Sequence, residues 1–316
     1  MSLHSDLQGR PRLLLQAQLR PLQTDRFQPT GFPDLGPAQY TTPGGTEMLL
    51  VESAQSVANH LEEVIWDPSA GDGGDLVEPL RGMAYVSVSV EGAGKTNSIL
   101  ESHRLNSPYI LEGKDRTMFD KLVQELGSDA IGRVNIPRLA RTIFKYDTNA
   151  VLHGIFLAKK ELSGGRNRLT RALSGFVEAV DVRQAQSGGV KMDDVDPKGD
   201  AKKGFGHVPF ARTEYTAKEI RACFNLDLAL LESYGLDAAQ LDFLVALTLY
   251  KIRRFLDRGL RLRTACDLQV DGGLEVQEPE GFKVPDEKQL AELVRKGVAA
   301  CKAHFADPAI TCMLFN

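Results

Sequence analysis

No closely spaced cysteine pair, no long apolar run and no complete phosphate-loop signature occur in this 316-residue chain. Each absence closes a class of function. The four cysteines, Cys223, Cys266, Cys301 and Cys312, lie far apart, so they build no CxxC zinc clip and read as reduced, mostly buried thiols. The most apolar stretch, "FLVALTLY" from Phe243, is too short to span a bilayer. The N-terminus has no apolar core ahead of a small-residue cleavage site, which argues against a signal peptide. The expectation is a cytoplasmic protein with no membrane partner and no cofactor. His4, His60, His103, His153, His207 and His304 are scattered, with no HxxxH-type cluster and no triad, so the reading is of a protein that is not an enzyme. His153, inside an apolar stretch, reads as a core histidine.

The composition that remains, 42% hydrophobic and 25% charged, is that of a folded globular chain. Its length allows one large domain or two ordinary ones. A net charge of −4 does not advertise a nucleic-acid binder, but binding depends on where cations cluster. "KIRRFLDRGLRLR" (251–263) carries six basic residues and one acid, and "RNRLTR" spans 166–171.

Strands are expected at "RLLLQAQLR" (12–20), "AYVSVSV", "AVLHGIFLA" and "SGFVEAVDV", the last expected to be buried on both faces. Helices are expected at "SAQSVANHLEEVIW" with Ser53 as cap, as a short piece in "NSILESHRL", at "DRTMFDKLVQELG" ending on Gly127, at "IPRLARTIFKY", at "LDAAQLDFLVALTLYKIRRFLDRG" and in the tail "DEKQLAELVRKGVAACKAHF". From Ser187 to Thr213 periodicity vanishes in favour of glycine, lysine and aspartate, which reads as a long projecting loop or flexible hairpin. Strands and helices without regular βαβ spacing give an α+β fold around one sheet. Residues 1–316 read as a single domain, with 187–213 an appendage and 281–316 a helical tail.

"SVEGAGKTNSIL" (89–100) places Gly94-Lys95-Thr96 after a strand and invites comparison with G-x-x-x-x-G-K-[ST], whose leading glycine lets backbone amides cradle phosphate. That leading position is Ser89, inside the strand, and proline soon interrupts the segment that would be the following helix. A nucleotide-binding P-loop protein is therefore an alternative rather than the main reading. The same segment does offer groups suited to a sugar-phosphate chain: Lys95, His103 and Arg104 supply charge, and Asn97, Ser98, Asn106 and Ser107 supply neutral hydrogen bonds. A second alternative is a metal-dependent RNase using Asp193, Asp194 and Asp196 of "MDDVD", although carboxylates in a Gly/Lys loop are usually solvated.

"LRPLQTDRFQPTGFPDLG", "EMLLVESAQSVANHLE", "TNSILESHRLNSPYIL", "RALSGFVEA", "GFGHVPFARTEYTA" and "KIRRFLDRGLRLRTACDL" together resemble the crRNA-binding backbone subunits of type I-G (formerly I-U) CRISPR effector complexes. These belong to the RAMP superfamily (Cas-seven group). The resemblance runs from about Arg12 to about Leu268. It implies an RRM/ferredoxin-like core with palm, fingers and thumb insertions, and a chain that stacks with copies of itself along crRNA in a helical filament. The guide is then presented for pairing with a target DNA strand, beside a large subunit and a fused guide-end-binding and processing subunit. Base pairing reads the target while protein holds backbone and shape.

With that resemblance, Arg261 and Arg263, alternating on the polar face of a strand, are expected to offer both guanidiniums to RNA. Arg171 with Ser174 lies in one of the resembling blocks. Residues 187–213 become the thumb candidate, with Lys191, Lys203 and His207 near phosphate and Phe205 against a base. Arg26 and Gln28 sit on the irregular "RFQPTG" loop. Lys251, Arg253 and Arg254, at a helix C-terminus, are explained by the helix dipole alone.

Overall fold

A computed structural model describes residues 2–32, 34–128 and 131–316. Leu13, Leu15, Ala17 and Leu19 are buried and alternate with half-exposed neighbours, which makes Arg12–Pro21 (β1) a strand with one core face. In chain order there follow β2 (Gln39–Thr41), β3 (Glu47–Glu52), β4 (Tyr85–Val90), β5 (Gly94–Asn97), β6 (Leu173–Lys191), β7 (Val208–Asp227), β8 (Arg261–Arg263), β9 (Cys266–Glu278) and β10 (Ile310–Phe315). The principal helices are α1 (Ala54–Glu63), α2 (Thr117–Leu126), α3 (Ile136–Tyr146), α4 (Thr148–His153), α5 (Ala238–Arg258) and α6 (Glu287–Ala300).

Seven strands form one sheet in the order β8-β9-β1-β7-β6-β3-β2, antiparallel at every pairing. Within it the succession β1–α1–β6–β7–α5–β9, with β1 and β7 in the middle of β9-β1-β7-β6, is the ferredoxin-like (RRM-like) arrangement. The fold is α+β, as the mixture of elements leads one to expect. Helix α5 is the main core helix: Phe243, Leu244, Leu247 and Phe255 are buried, and Asp237 with Gln240 closes a capping box at its start. Ser53 caps α1 by accepting from the Ser56 N–H, and α2 stops at Gly127, whose φ of 83° suits glycine.

Three expectations and one alternative are corrected. "AVLHGIFLA" is mostly helix: Asp147 caps α4, Gly154 ends it, and only Ile155–Leu157 is a strand. Every residue of α4 is buried, so no alternation or helical stripe was there to read. "NSILESHRL" forms turns and a 3-10 turn at Arg104–Asn106, because Asn97 Oδ1 accepts from the N–H groups of Ile99 and Leu100 and ties off the chain. The tail is not purely helical, since β10 lies parallel to β4. The "GAGKT" segment is a β-hairpin: β5 pairs antiparallel with β4, so its amides belong to a ladder and no helix follows to receive phosphate. The P-loop alternative falls with it.

The 187–213 insertion is more ordered than its composition suggests. β6 and β7 stay in one register from Leu173 opposite Leu226 to Lys191 opposite Val208. Their outer neighbours stop earlier, β1 at Leu19 opposite Ile220 and β3 at Met48 opposite Val180. The two strands therefore project as an arm, and only 192–207 joins them at the tip.

A polar cluster lies inside the core. The Lys251 ammonium, fully buried on α5, reaches Asn149 Oδ1 and His153 Nε2, the latter at 2.9 Å. Asn149 Nδ2 donates to Glu62 Oε1 at 2.7 Å, and Arg104 grips Glu62 through Nε and Nη2 at 2.7 and 2.9 Å. Burial lowers the Lys251 pKa to about 7, raises that of Asp147 to about 7 and depresses that of His153. His153 is thus a core histidine. Of the cysteines, Cys266 and Cys301 are buried, Cys223 is half-buried and Cys312 is exposed; all four are free. Among the described residues no helix is long and apolar enough to cross a membrane.

Candidate nucleic-acid interface

The arm presents a cationic surface beside the sheet. Side chains alternate across a strand pair, so Arg183, Ser187, Gly189 and Lys191 of β6 share one face with Glu214, Arg212, Phe210 and Val208 of β7. This face carries three cations, one exposed aromatic ring and one nearly buried carboxylate, Glu214, 3.8 Å from Arg212, whose guanidinium is also 5.7 Å from the centre of the Phe210 ring. The opposite face, Gln184, Gln186, Gly188 and Val190 beside Tyr215, Thr213, Ala211 and Pro209, has no charge. Arginine over an aromatic ring, flanked by cations, is a surface suited to ribose-phosphate and bases.

The loop after β1 fastens the arm to the sheet. Phe27 bridges Tyr215 at the base of the arm, and Arg26 pairs with the nearly buried Glu214 at 3.4 Å. The Gln28 N–H donates to the Ala265 carbonyl at 2.7 Å, in the turn between β8 and β9. Arg26, Gln28, Arg261 and Arg263 are consequently brought to the arm's end of the sheet. The two arginines of β8 differ in role, contrary to expectation. Arg261 is exposed and makes no ion pair among the described residues. Arg263 turns inward to Glu52 and donates to the carbonyls of Gln28 and Val51 at 3.0 and 3.1 Å. A register shift between the two, with Ala265 at φ 61°, re-aims the strand. Arg263→Ala is expected to cost about 2 kcal/mol by stranding the buried Glu52, read as a lowered melting temperature. Arg261→Ala is expected to leave melting unchanged and weaken RNA binding alone, read by fluorescence anisotropy.

At the tip, Lys191, Lys203 and Phe205 are exposed. His207 Nδ1 accepts from the Asp193 N–H at 2.9 Å, which leaves the proton on Nε2, facing away from that bond. Asp193 has a structural task. Its carboxylate collects the N–H groups of Asp196, Gly206 and Val195, which hold its pKa below the usual carboxylate value. Among the described residues no three His, Cys, Asp or Glu side chains are grouped to hold a metal ion.

The remaining candidates lie elsewhere. Asn97, Ser98, Arg104 and Ser107 are buried: Ser98 Oγ accepts from the Val86 N–H, Ser107 donates to Glu101, and Arg104 is bound to Glu62. These four are buried and hydrogen-bonded within the protein, contrary to the expectation that they lie on a surface. Asn106 accepts from the Ala158 N–H, and Lys95 pairs with Asp72 at 2.7 Å; His103 is exposed. Arg171 is tied to the start of α1 through the Ala54 carbonyl and Gln55. Ser174 lines a cleft of about 310 Å³ with Gln16, Phe176 and Asn225, on the sheet face that alternates with the core. The candidates thus split into a group at the arm and groups remote from it. Arg183, Arg212 and Phe210 were missed from the sequence; their common face appears only once the hairpin register is known.

Comparisons with known proteins follow this geometry. No curated protein matches the chain. Among solved structures, a chain of a "CRISPR RNA-guided surveillance complex, pre-nicking" is similar over 82% of this chain and 74% of its own, with 17% identity and a TM-score of 0.43. Csc2 of Thermofilum pendens is similar over 95% of this chain and 79% of its own, with 10% identity and a TM-score of 0.34. Both are too distant to transfer the role of any residue. The family model described as CRISPR-associated protein GSU0053 matches residues 13–184, more than half of the chain, from β1 to the root of the arm. The chain belongs to the CRISPR-associated protein GSU0053 family.

Proposed function

We propose that this chain is a non-catalytic, RNA-binding backbone subunit of a type I CRISPR effector complex, of the I-G kind that its sequence resembles. It lies with further copies along crRNA and presents the guide to a target DNA strand, in company with the other subunits of such a complex. Residues 1–316 act as one RAMP-like domain, the β6–β7 arm as its thumb, and 281–316 as a tail docked on the fold. The observation that carries this reading is the one-sided arm: Arg183, Lys191, Arg212 and Phe210 on one face and no charge on the other. A surface of cations and an aromatic ring, without a fixed array of base-reading groups, holds phosphate and stacks bases of any sequence. Arg26 and Arg261 extend it at the root, and Lys203 and Phe205 at the tip.

The test is co-expression with a guide RNA. The purified chain is expected to carry RNA of guide length in assemblies much larger than a monomer. An RNA-free monomer with no affinity for guide-length RNA would overturn the proposal.

A further inference from the structure

A further cluster of positive charge lies away from the arm, in the helical layer. Helix α3 buries Leu139, Ala140, Ile143 and Phe144 and leaves Arg138, Arg141 and Lys145 on its outer side, at the i, i+3 and i+7 spacing of one helical face. With Lys121 of α2 these residues line an open cleft of about 670 Å³ in which Glu125 is the only carboxylate among the described residues. Glu125 is already engaged by Lys145 at 2.5 Å and by the Tyr146 hydroxyl at 2.6 Å. His304 at the rim faces Asp237 at 2.9 Å. Among the described residues Lys121, Arg138 and Arg141 are therefore left without a carboxylate partner. Lys121 rests over the Tyr146 ring at 5.7 Å, Arg141 donates to the Gly235 carbonyl at 3.2 Å, and the Arg138 side chain makes no bond among the described residues. Arg138 also lines a second, smaller cleft beside Arg133, which prolongs the positive tract.

We propose that this tract is a second nucleic-acid surface, which holds the phosphates of double-stranded DNA while the guide is held at the arm. Three features favour that occupant. The stripe from Arg138 to Lys145 is about 10 Å long at about 1.5 Å per residue, the rise of about three phosphates of one duplex strand. Lys145 is spent on Glu125, but Arg138 and Arg141 are exposed and, with the half-exposed Lys121, have no carboxylate partner among the described residues, which leaves them available for counterion release on binding a polyanion. And it presents no free ring: Tyr146 is buried beneath Lys121, so unpaired bases would find nothing to stack on, whereas a duplex keeps its bases inside and offers phosphate alone. The inference rests on the reading above only in assigning the guide to another surface.

The experiment measures binding of the full chain to a labelled random-sequence DNA duplex and, separately, to guide-length RNA, over a range of salt. In Lys121→Glu/Arg138→Glu/Arg141→Glu, duplex affinity is expected to fall by at least about tenfold. The slope of log K against log salt should shrink by about 2 to 3, the share of three phosphate contacts. RNA affinity should stay at the wild-type value. Arg138→Gln removes only an unbonded side chain and should reduce the slope by about 1, which keeps the proposal open to refutation if the triple variant does not fold. Unchanged duplex binding overturns it. So does a parallel loss of RNA affinity, which would make the cleft part of the guide track. Failure of the wild-type chain to bind RNA would remove the backbone-subunit reading, and the duplex comparison would still decide this one.

Discussion

Reversing Arg183, Lys191 and Arg212 to glutamate together is expected to weaken guide-RNA binding on the order of 100-fold at low salt and to lower the salt slope by about 2, since each phosphate contact on a single strand contributes about 0.7. The three side chains share one face of the arm, beyond the point where β1 and β3 stop pairing, and only Arg212 has a nearly buried partner, Glu214 at 3.8 Å. Melting should fall by about 1 to 2 kcal/mol of stability, from the carboxylate set beside Glu214. The loss should be the same for guides of unrelated sequence, because nothing on that face is fixed to read base edges. Anisotropy titrations with two unrelated RNAs decide it: unaffected affinity, or a loss confined to one sequence, contradicts the assignment. Lys95→Glu is the matched control. It removes a cation of the same sign whose ammonium already faces Asp72, and it should leave RNA affinity unchanged.

What the sequence discloses is what short-range physics decides. Ser53, the Asp237–Gln240 pair and Gly127 mark helix ends through bonds that close within a few residues, and the alternation in Arg12–Pro21 and Tyr85–Val90 needs only the two-residue repeat of a strand. The α+β class is legible for that reason, whereas the ferredoxin-like core was implied by the resemblance alone. What stayed hidden depends on contacts between distant segments. Arg104 looks like a solvent-facing cation in "SHRLN" until Glu62, far earlier in the chain, is placed against it. Arg263 has the same alternation as Arg261, and only the shifted register at the β8–β9 turn sends it inward. On the arm, composition concealed structure. Glycines and charges left a projecting loop and a flexible hairpin equally open, and the backbone ladder continues through Ser187–Lys191 because hydrogen bonds in a hairpin need no particular side chain.

Arg104 supplies the sharpest contrast between a cation that binds RNA and one that holds the fold. Its guanidinium is nearly buried, spans both oxygens of Glu62, and lies in the network that joins α1, α4 and α5 through Asn149 and Lys251. Arg104→Met leaves the Glu62 carboxylate in the interior without its counter-charge, and the expected cost is about 3 to 5 kcal/mol. At about 2–4 °C per kcal/mol for a chain of this size or somewhat smaller, melting should fall by roughly 10 °C. Glu62→Gln in the same background removes the stranded charge and should restore at least half of the loss, because the penalty comes from the unpaired ion rather than from a missing attraction. RNA affinity of the folded fraction should equal wild type in both variants, since no atom of Arg104 reaches the arm. Thermal melts paired with anisotropy separate the alternatives. A wild-type melting temperature with weakened RNA binding would mean that Arg104 leaves the core to meet the guide. The division between buried cations that order the helices and exposed ones that grip phosphate would then fail at the residue where it is most sharply drawn.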